Sequence, residues 1–252
     1  MNRTHVLDNR LEERARTLEV LRKKMADIAP EAARGWEGVA PGEVVELMPE
    51  LADLLPCGGL PRGMVSSLGE SPLLAVRLIA YCSSRGGHVA IVGWPELSCA
   101  AMMEAGADLS KIVSVPSPEG DIFHIGALLA EGMDVVICRE NPTAAGETLS
   151  PSRARSVQAK LRLTRAVLLS VGMRFPSTGL ELSAQVCAFH GIGEGEGRVR
   201  GVDLEVSIRV RGRPAMTRLL RLGACGELDR KAPSASDGAD ALPLRSPTVV
   251  RA

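Results

Sequence analysis

Between Met64 and Val171 short apolar runs alternate with longer helical patterns, and this alternation restricts the possible fold more than any other feature of the chain. The runs fall at 64–68, 88–93, 111–115, 134–138 and 165–171. Ser71 is a candidate N-cap with Pro72 at the first helical position, and Leu73 to Tyr81 carry an apolar helix to about Ser84, where Gly86 and Gly87 stop it. Further helical patterns cover about 96–105, 119–130 and 152–163. Strands separated by helices in this way form right-handed crossovers and a mostly parallel sheet with helices on its faces.

After Val171 the period changes. Leu180, Leu182, Ala184, Val186 and Ala188 alternate with more polar residues, as do Val202, Leu204, Val206, Ile208 and Val210, and the glycine-rich segment 191–197 separates the two runs. Period two predicts an antiparallel hairpin of 180–189 and 199–210, with a further short strand over 216–222. The fold class is therefore α/β, a mostly parallel sheet flanked by helices and continued by an antiparallel extension. Three regions follow: an N-terminal amphipathic helix (1–34), the α/β core (35–225) and a Ser/Pro/Ala-rich tail without periodicity (226–252), expected to be disordered. In the N-terminal region Leu7, Leu11, Leu18, Leu21 and Met25 recur at helical spacing, making a stripe that covers either its own core or another protein.

Thirty basic and thirty acidic residues cancel, so the chain carries no global signature for polyanions. Basic residues nevertheless cluster locally, once at Arg153, Arg155, Lys160, Arg162, Arg165 and Arg174, and again at Arg198, Arg200, Arg209, Arg211, Arg213, Arg218 and Arg221. Each cluster reads equally as a nucleic-acid face or as a solvated surface balanced by acids elsewhere. Aromatic residues are only 2% of the chain, too few for recognition by base stacking. The six cysteines form no C-x-x-C pair or metal-ligand spacing, and several lie in apolar runs, as buried free thiols in a reducing compartment would. With no apolar leader or membrane-length run, a cytoplasmic location is expected.

Ligand chemistry in such a sheet belongs beyond the carboxyl ends of the parallel strands. A phosphate cradle there needs several flexible backbone N–H groups, a lysine and a hydroxyl that meets magnesium. The first strand instead leads into Gly69, Glu70, Ser71, Pro72, Leu73, Leu74 and Ala75, with one glycine, an acid and no lysine. Where a strand-end acid would assist magnesium the chain has Cys138 and Arg139, with Glu140 beyond them. Glu96 is either a water-polarising base or, more simply, a solvated residue of a helix N-terminus. His88, His124 and His190 show no metal spacing and read as structural. No catalytic residue, nucleotide or metal site is expected.

Three runs, CGGLPRGMVSSLGE (57–70), GGHVAIVGWPE (86–96) and GADLSKIVSVPSP (106–118), taken in this order with DVVICRE and the late hairpin, resemble the ATPase core of the RecA recombinase superfamily. The match is to the degenerate form found in the ImuA family of DNA-damage-inducible mutagenesis accessory proteins. The resemblance implies a RecA-like fold and a non-catalytic role in SOS-type translesion synthesis. It implies partnership with an inactive translesion-polymerase relative, with an error-prone polymerase and the sliding clamp, and with RecA itself. It also places two DNA-contacting loops at 141–151 and 173–179, making Arg139, Arg153, Arg155 and Arg174 candidate nucleic-acid contacts. A RecA-like DNA-binding protein without hydrolysis is the competing expectation, and an enzyme of altered nucleotide chemistry a third.

Overall fold

The computed structural model describes residues 43–55, 57–140, 147–176, 178–192, 197–223 and 241–243. The N-terminal helix with Leu7, Leu11, Leu18, Leu21 and Met25, the loop 141–146 and most of the tail lie outside the described residues.

The parallel strands are β3 (Val65–Leu68), β4 (Val89–Val92), β5 (Ile112–Val115), β6 (Val135–Arg139) and β7 (Val167–Val171). Their residues point alternately to two faces, and both faces are buried in the inner strands β3, β4, β6 and β7, whereas the edge strand β5 exposes Val113 and Ser114. In β4, Val89 and Ile91 join one apolar cluster while Ala90 and Val92 join the other; in β6, Val135 and Ile137 separate from Val136 and Cys138 in the same way. A strand buried on both sides reads in sequence as a continuous apolar run, which is why these segments show no alternation. Helix α2 (Pro72–Ser84) covers the first face through Leu74, Ala75, Leu78 and Ile79, joined by Met102 of α3 (Cys99–Glu104). Helices α4 (Ile122–Leu129) and α5 (Pro151–Leu163) cover the second through Phe123, Ala127, Val157 and Leu161.

The hairpin predicted from period two is present as β8 (Leu180–Ile192) and β9 (Gly197–Val210), antiparallel with Leu182 opposite Ile208, and β10 (Met216–Gly223) pairs with β9. The sheet runs β10-β9-β8-β3-β7-β6-β4-β5. The fold is thus the expected RecA-like α/β arrangement, a mostly parallel sheet with an antiparallel extension.

Several features differ from the sequence reading. β8 itself pairs parallel to β3 through Glu181 and Leu182, so the hairpin is joined to the sheet through its first strand. The segment from Pro41, which showed no clear period, holds β1 (Val44–Glu46) and α1 (Pro49–Ala52); β1 pairs antiparallel with β2 (Gly59–Pro61) in a separate ribbon. Within the tail expected to be disordered, Ala241–Pro243 form β11 on Ala188–His190 of β8, because the far half of β8 extends past β3 and leaves an edge to be paired. Cys82 and Cys138 are buried thiols as expected, but Cys99 is exposed because it opens α3 on the solvent side. No helix among the described residues is long and apolar enough to cross a membrane.

Candidate functional site at the strand ends

β4 and β6 are neighbours, yet the chain leaves β4 toward β5 on one side and leaves β6 toward β7 on the other. Connections that diverge in this way open a crevice at the strand carboxyl ends, the place where α/β proteins bind ligands. Among the described residues, Arg139, Glu70, Glu96 and Trp94 line it.

Arg139 is the last residue of β6, and its side chain is only 12% exposed. Its Nε donates to Glu70 Oε2 at 3.3 Å and its Nη1 to Glu96 Oε2 at 2.9 Å. The guanidinium also lies over the ring of buried Trp94, 5.3 Å from its centroid. One cation therefore ties together the loop after β3, the loop after β4 and the end of β6. Glu70 reaches further, its Oε1 lying 3.0 Å from where a Cβ on Gly172 would stand, so the loop after β7 belongs to the same cluster. Glu96 precedes α3 rather than opening it. Ser98 is the N-cap, accepting from the Ala101 N–H at 3.2 Å, which leaves Glu96 in the preceding turn and within reach of Arg139.

The start of α2 is equally committed. The Ser71 N–H donates to the Gly69 carbonyl at 2.7 Å and the Ala75 N–H to the Ser71 carbonyl at 3.0 Å. Ser71 Oγ accepts from the Leu74 N–H at 3.4 Å, and Pro72 has no N–H to offer. Cys138, at the position where a magnesium-assisting acid was sought, is fully buried, with its Sγ 3.6 Å from the Ile122 carbonyl. Burial, reinforced by Asp121 and Glu140, pushes its pKa far up, so the thiol stays neutral and is a poor metal ligand. These residues do not fit a magnesium nucleotide: two carboxylates beside the helix N-terminus would repel phosphates, and most donors of that N-terminus are already used.

Two comparisons bear on these residues. The MT3502 N-terminal domain model matches residues 53–177, and the uncharacterized protein Rv3395c of Mycobacterium tuberculosis is 32% identical over 213 residues, 81% of this chain and 97% of that protein. The chain belongs to the Rv3395c family. The domain match contains Glu70, Trp94, Glu96, Arg139 and Gly172, and it stops just before β8, where the antiparallel extension begins. The similarity to Rv3395c covers more of the chain than the domain does.

The candidate nucleic-acid contacts fall into different settings. Arg139 is given over to two carboxylates and a ring face rather than presented to solvent. Arg153 opens α5 in a two-point pair with Asp121, with Nε 3.0 Å from Oδ2 and Nη2 2.9 Å from Oδ1. Arg155 and Arg174 are exposed. The described parts of the two expected loops do run side by side: the Leu149 N–H donates to the Arg174 carbonyl at 2.8 Å and the Arg174 N–H to the Glu147 carbonyl at 2.9 Å. His88 and His124 are exposed, while His190 is drawn into a network on the hairpin.

That network centres on Asp203 of β9, buried at 6% exposure. Arg221 Nε donates to Oδ1 at 2.9 Å, and His190 Nε2 lies 2.8 Å from Oδ2. Burial raises the Asp203 carboxyl, but the Arg221 and His190 partners outweigh it and hold the group below the ordinary carboxylate value. A depressed folded-state pKa stabilises the fold above the unfolded value of about 3.9, and the contribution is lost as pH falls through the folded value. Asp203→Asn should therefore cost about 1–3 kcal/mol near neutral pH and remove part of the acid limb of stability. Calorimetry from pH 7 down to pH 2 should show the variant and the parent converging below about pH 4. Parallel curves would assign the acid sensitivity to other groups.

Proposed function

We propose that this chain is a non-catalytic adaptor of the ImuA type, acting in the cytoplasm in SOS-type translesion synthesis. It binds an inactive translesion-polymerase relative, and through that assembly it meets an error-prone polymerase, the sliding clamp and RecA. The observation that carries the reading is the crevice itself. A RecA-like sheet keeps its strand layout, while the place of the phosphate cradle is taken by the Arg139, Glu70, Glu96 and Trp94 cluster. A scaffold freed from nucleotide chemistry remains useful as a shape that partners recognise.

The amphipathic stripe Leu7, Leu11, Leu18, Leu21 and Met25 is the proposed attachment element, since a helix with this much apolar surface needs a covering partner. Affinity capture from DNA-damaged cells tests both parts. The wild-type chain should retain the polymerase relative, and Leu11→Asp with Leu18→Asp should lose it by about tenfold or more with an unchanged melting temperature. Failure of the wild-type chain to retain a polymerase-related protein overturns the adaptor reading. Unfolding of the double variant would place the helix on its own core instead. The second reading, a DNA-binding protein without hydrolysis, draws on Arg155 and Arg174 beside the paired loops; salt-dependent binding of single-stranded DNA by the purified chain would favour it.

A further inference from the structure

A second cleft lies at the corner where β8 begins and β9 ends, Leu180 opposite Val210, beside β3 rather than beyond its carboxyl end. There Arg209, Arg211 and Arg213 line a cleft of about 370 Å³ with Phe175, Pro176 and Thr178. Arg209 is held by Glu181 at 3.5 Å. Arg211 and Arg213 are exposed, and among the described residues neither has an acidic partner within ion-pair distance. Their backbone is nevertheless pinned: the Arg211 N–H donates to the Gly179 carbonyl at 2.9 Å and the Arg213 N–H to the Val210 carbonyl at 3.0 Å. Gly212 between them takes φ +80°, which lets the turn close. Two unengaged guanidinium groups thus stand on a fixed corner, in a chain whose formal charge is zero.

The floor of the cleft limits what can bind. Phe175 is buried and packs edge-on against Phe123 with ring centroids 5.0 Å apart, and Val210 is also buried. No open aromatic face remains there for a nucleobase, so recognition rests on charge and on the forked guanidinium geometry. A track for single-stranded nucleic acid combines a continuous basic groove with stacking platforms. This corner has neither, since Glu181 stands among its arginines and its one aromatic ring, Phe175, is buried. A compact pair of free arginines beside a paired one suits a ligand with a few closely spaced carboxylates.

We propose that this cleft docks a short acidic segment of a partner protein, its carboxylates seated on Arg211 and Arg213. The inference deepens the adaptor reading and rests on it for the partner being a protein. Fluorescence anisotropy of the full chain with a fluorescein-labelled peptide of alternating Asp and Glu tests it, with labelled oligodeoxythymidine in a parallel series. The peptide should bind at low salt. Arg211→Gln with Arg213→Gln should weaken it about tenfold or more, while Arg211→Lys with Arg213→Lys retains part of the affinity. If the double variant loses its fold, either single Gln substitution, at an exposed site, should show a smaller loss. Absence of peptide binding, indifference to these substitutions, or tighter binding of the oligonucleotide that falls with the same substitutions overturns the proposal. Capture of the polymerase relative is read separately. Capture without peptide binding removes this inference alone, whereas peptide binding without capture removes the adaptor reading and leaves the acidic-peptide site standing.

Discussion

Arg139→Ala should lower the melting temperature by roughly 5–10 °C, and magnesium ATP should not restore it. The side chain is mostly buried, holds two carboxylates and covers the face of Trp94. The cation–π contact is worth about 1 kcal/mol, and the arginine stem adds packing that alanine cannot supply. Glu70 and Glu96 are 43% and 66% exposed, so water screens both pairs and each contributes modestly. The sum is about 2–3 kcal/mol, and for a chain of this size each kcal/mol moves the midpoint by about 2–4 °C. A nucleotide that bound the native state would raise stability by about 2.7 kcal/mol at a hundredfold excess over its Kd. The committed donors around Ser71 argue for no such shift, in the wild type or the variant. Adding Glu70→Gln and Glu96→Gln to Arg139→Ala should recover part of the loss, because it removes the carboxylates left without a counter-charge. ATP-dependent stabilisation, or a melting temperature indifferent to Arg139, would show that the cluster does not close the crevice.

The parallel half of the fold was legible because burial on both faces forces continuous apolar runs, as in Val89–Val92 and Val135–Cys138, and the hairpin because one solvated face forces alternation. The β1–β2 ribbon was not, since each of its strands is only three residues long, too short for a period to register. Pairing of β8 with β3 was hidden for another reason: the sequence records which face a residue turns to, not which strand lies beside it. At the crevice, the missing lysine, glycines and acid were visible as absences. What fills the space was not, because the contacts of Arg139 with Glu70 and Glu96 span 69 and 43 residues. The signals that did exist were local: an arginine closing an apolar strand, and a tryptophan directly after Gly93 in a chain poor in aromatics. Asp203 gave another, a charged residue whose burial only its partners on β8 and β10 explain.

The largest single-site effect is expected at Gly93, where the cluster depends on backbone rather than side chain. Gly93 directly follows β4 with φ +76°, and a Cβ built there would meet the Arg139 carbonyl oxygen far inside contact distance. Both groups are main chain, so neither can swing aside as a flexible side chain would. The Gly93 N–H is also fixed, donating to the Val115 carbonyl at 3.0 Å, which ties the turn to β5 as well. Gly93→Ala therefore combines left-handed strain of about 1–2 kcal/mol with a clash that must part β4 from β6, for a total of about 3–5 kcal/mol and a midpoint lowered by roughly 8–15 °C. Gly86 supplies the control: its φ is +94°, yet nothing lies within 4 Å of its Cβ position. Gly86→Ala should cost only the strain, about 1–2 kcal/mol. The difference between the two variants measures how closely the strand ends approach. Parting them also draws Arg139 off Trp94, so indole fluorescence should shift in Gly93→Ala and stay unchanged in Gly86→Ala. Equal melting temperatures for the two variants would mean that the ends of β4 and β6 are free to separate, and that the crevice is held shut by its ion pairs alone.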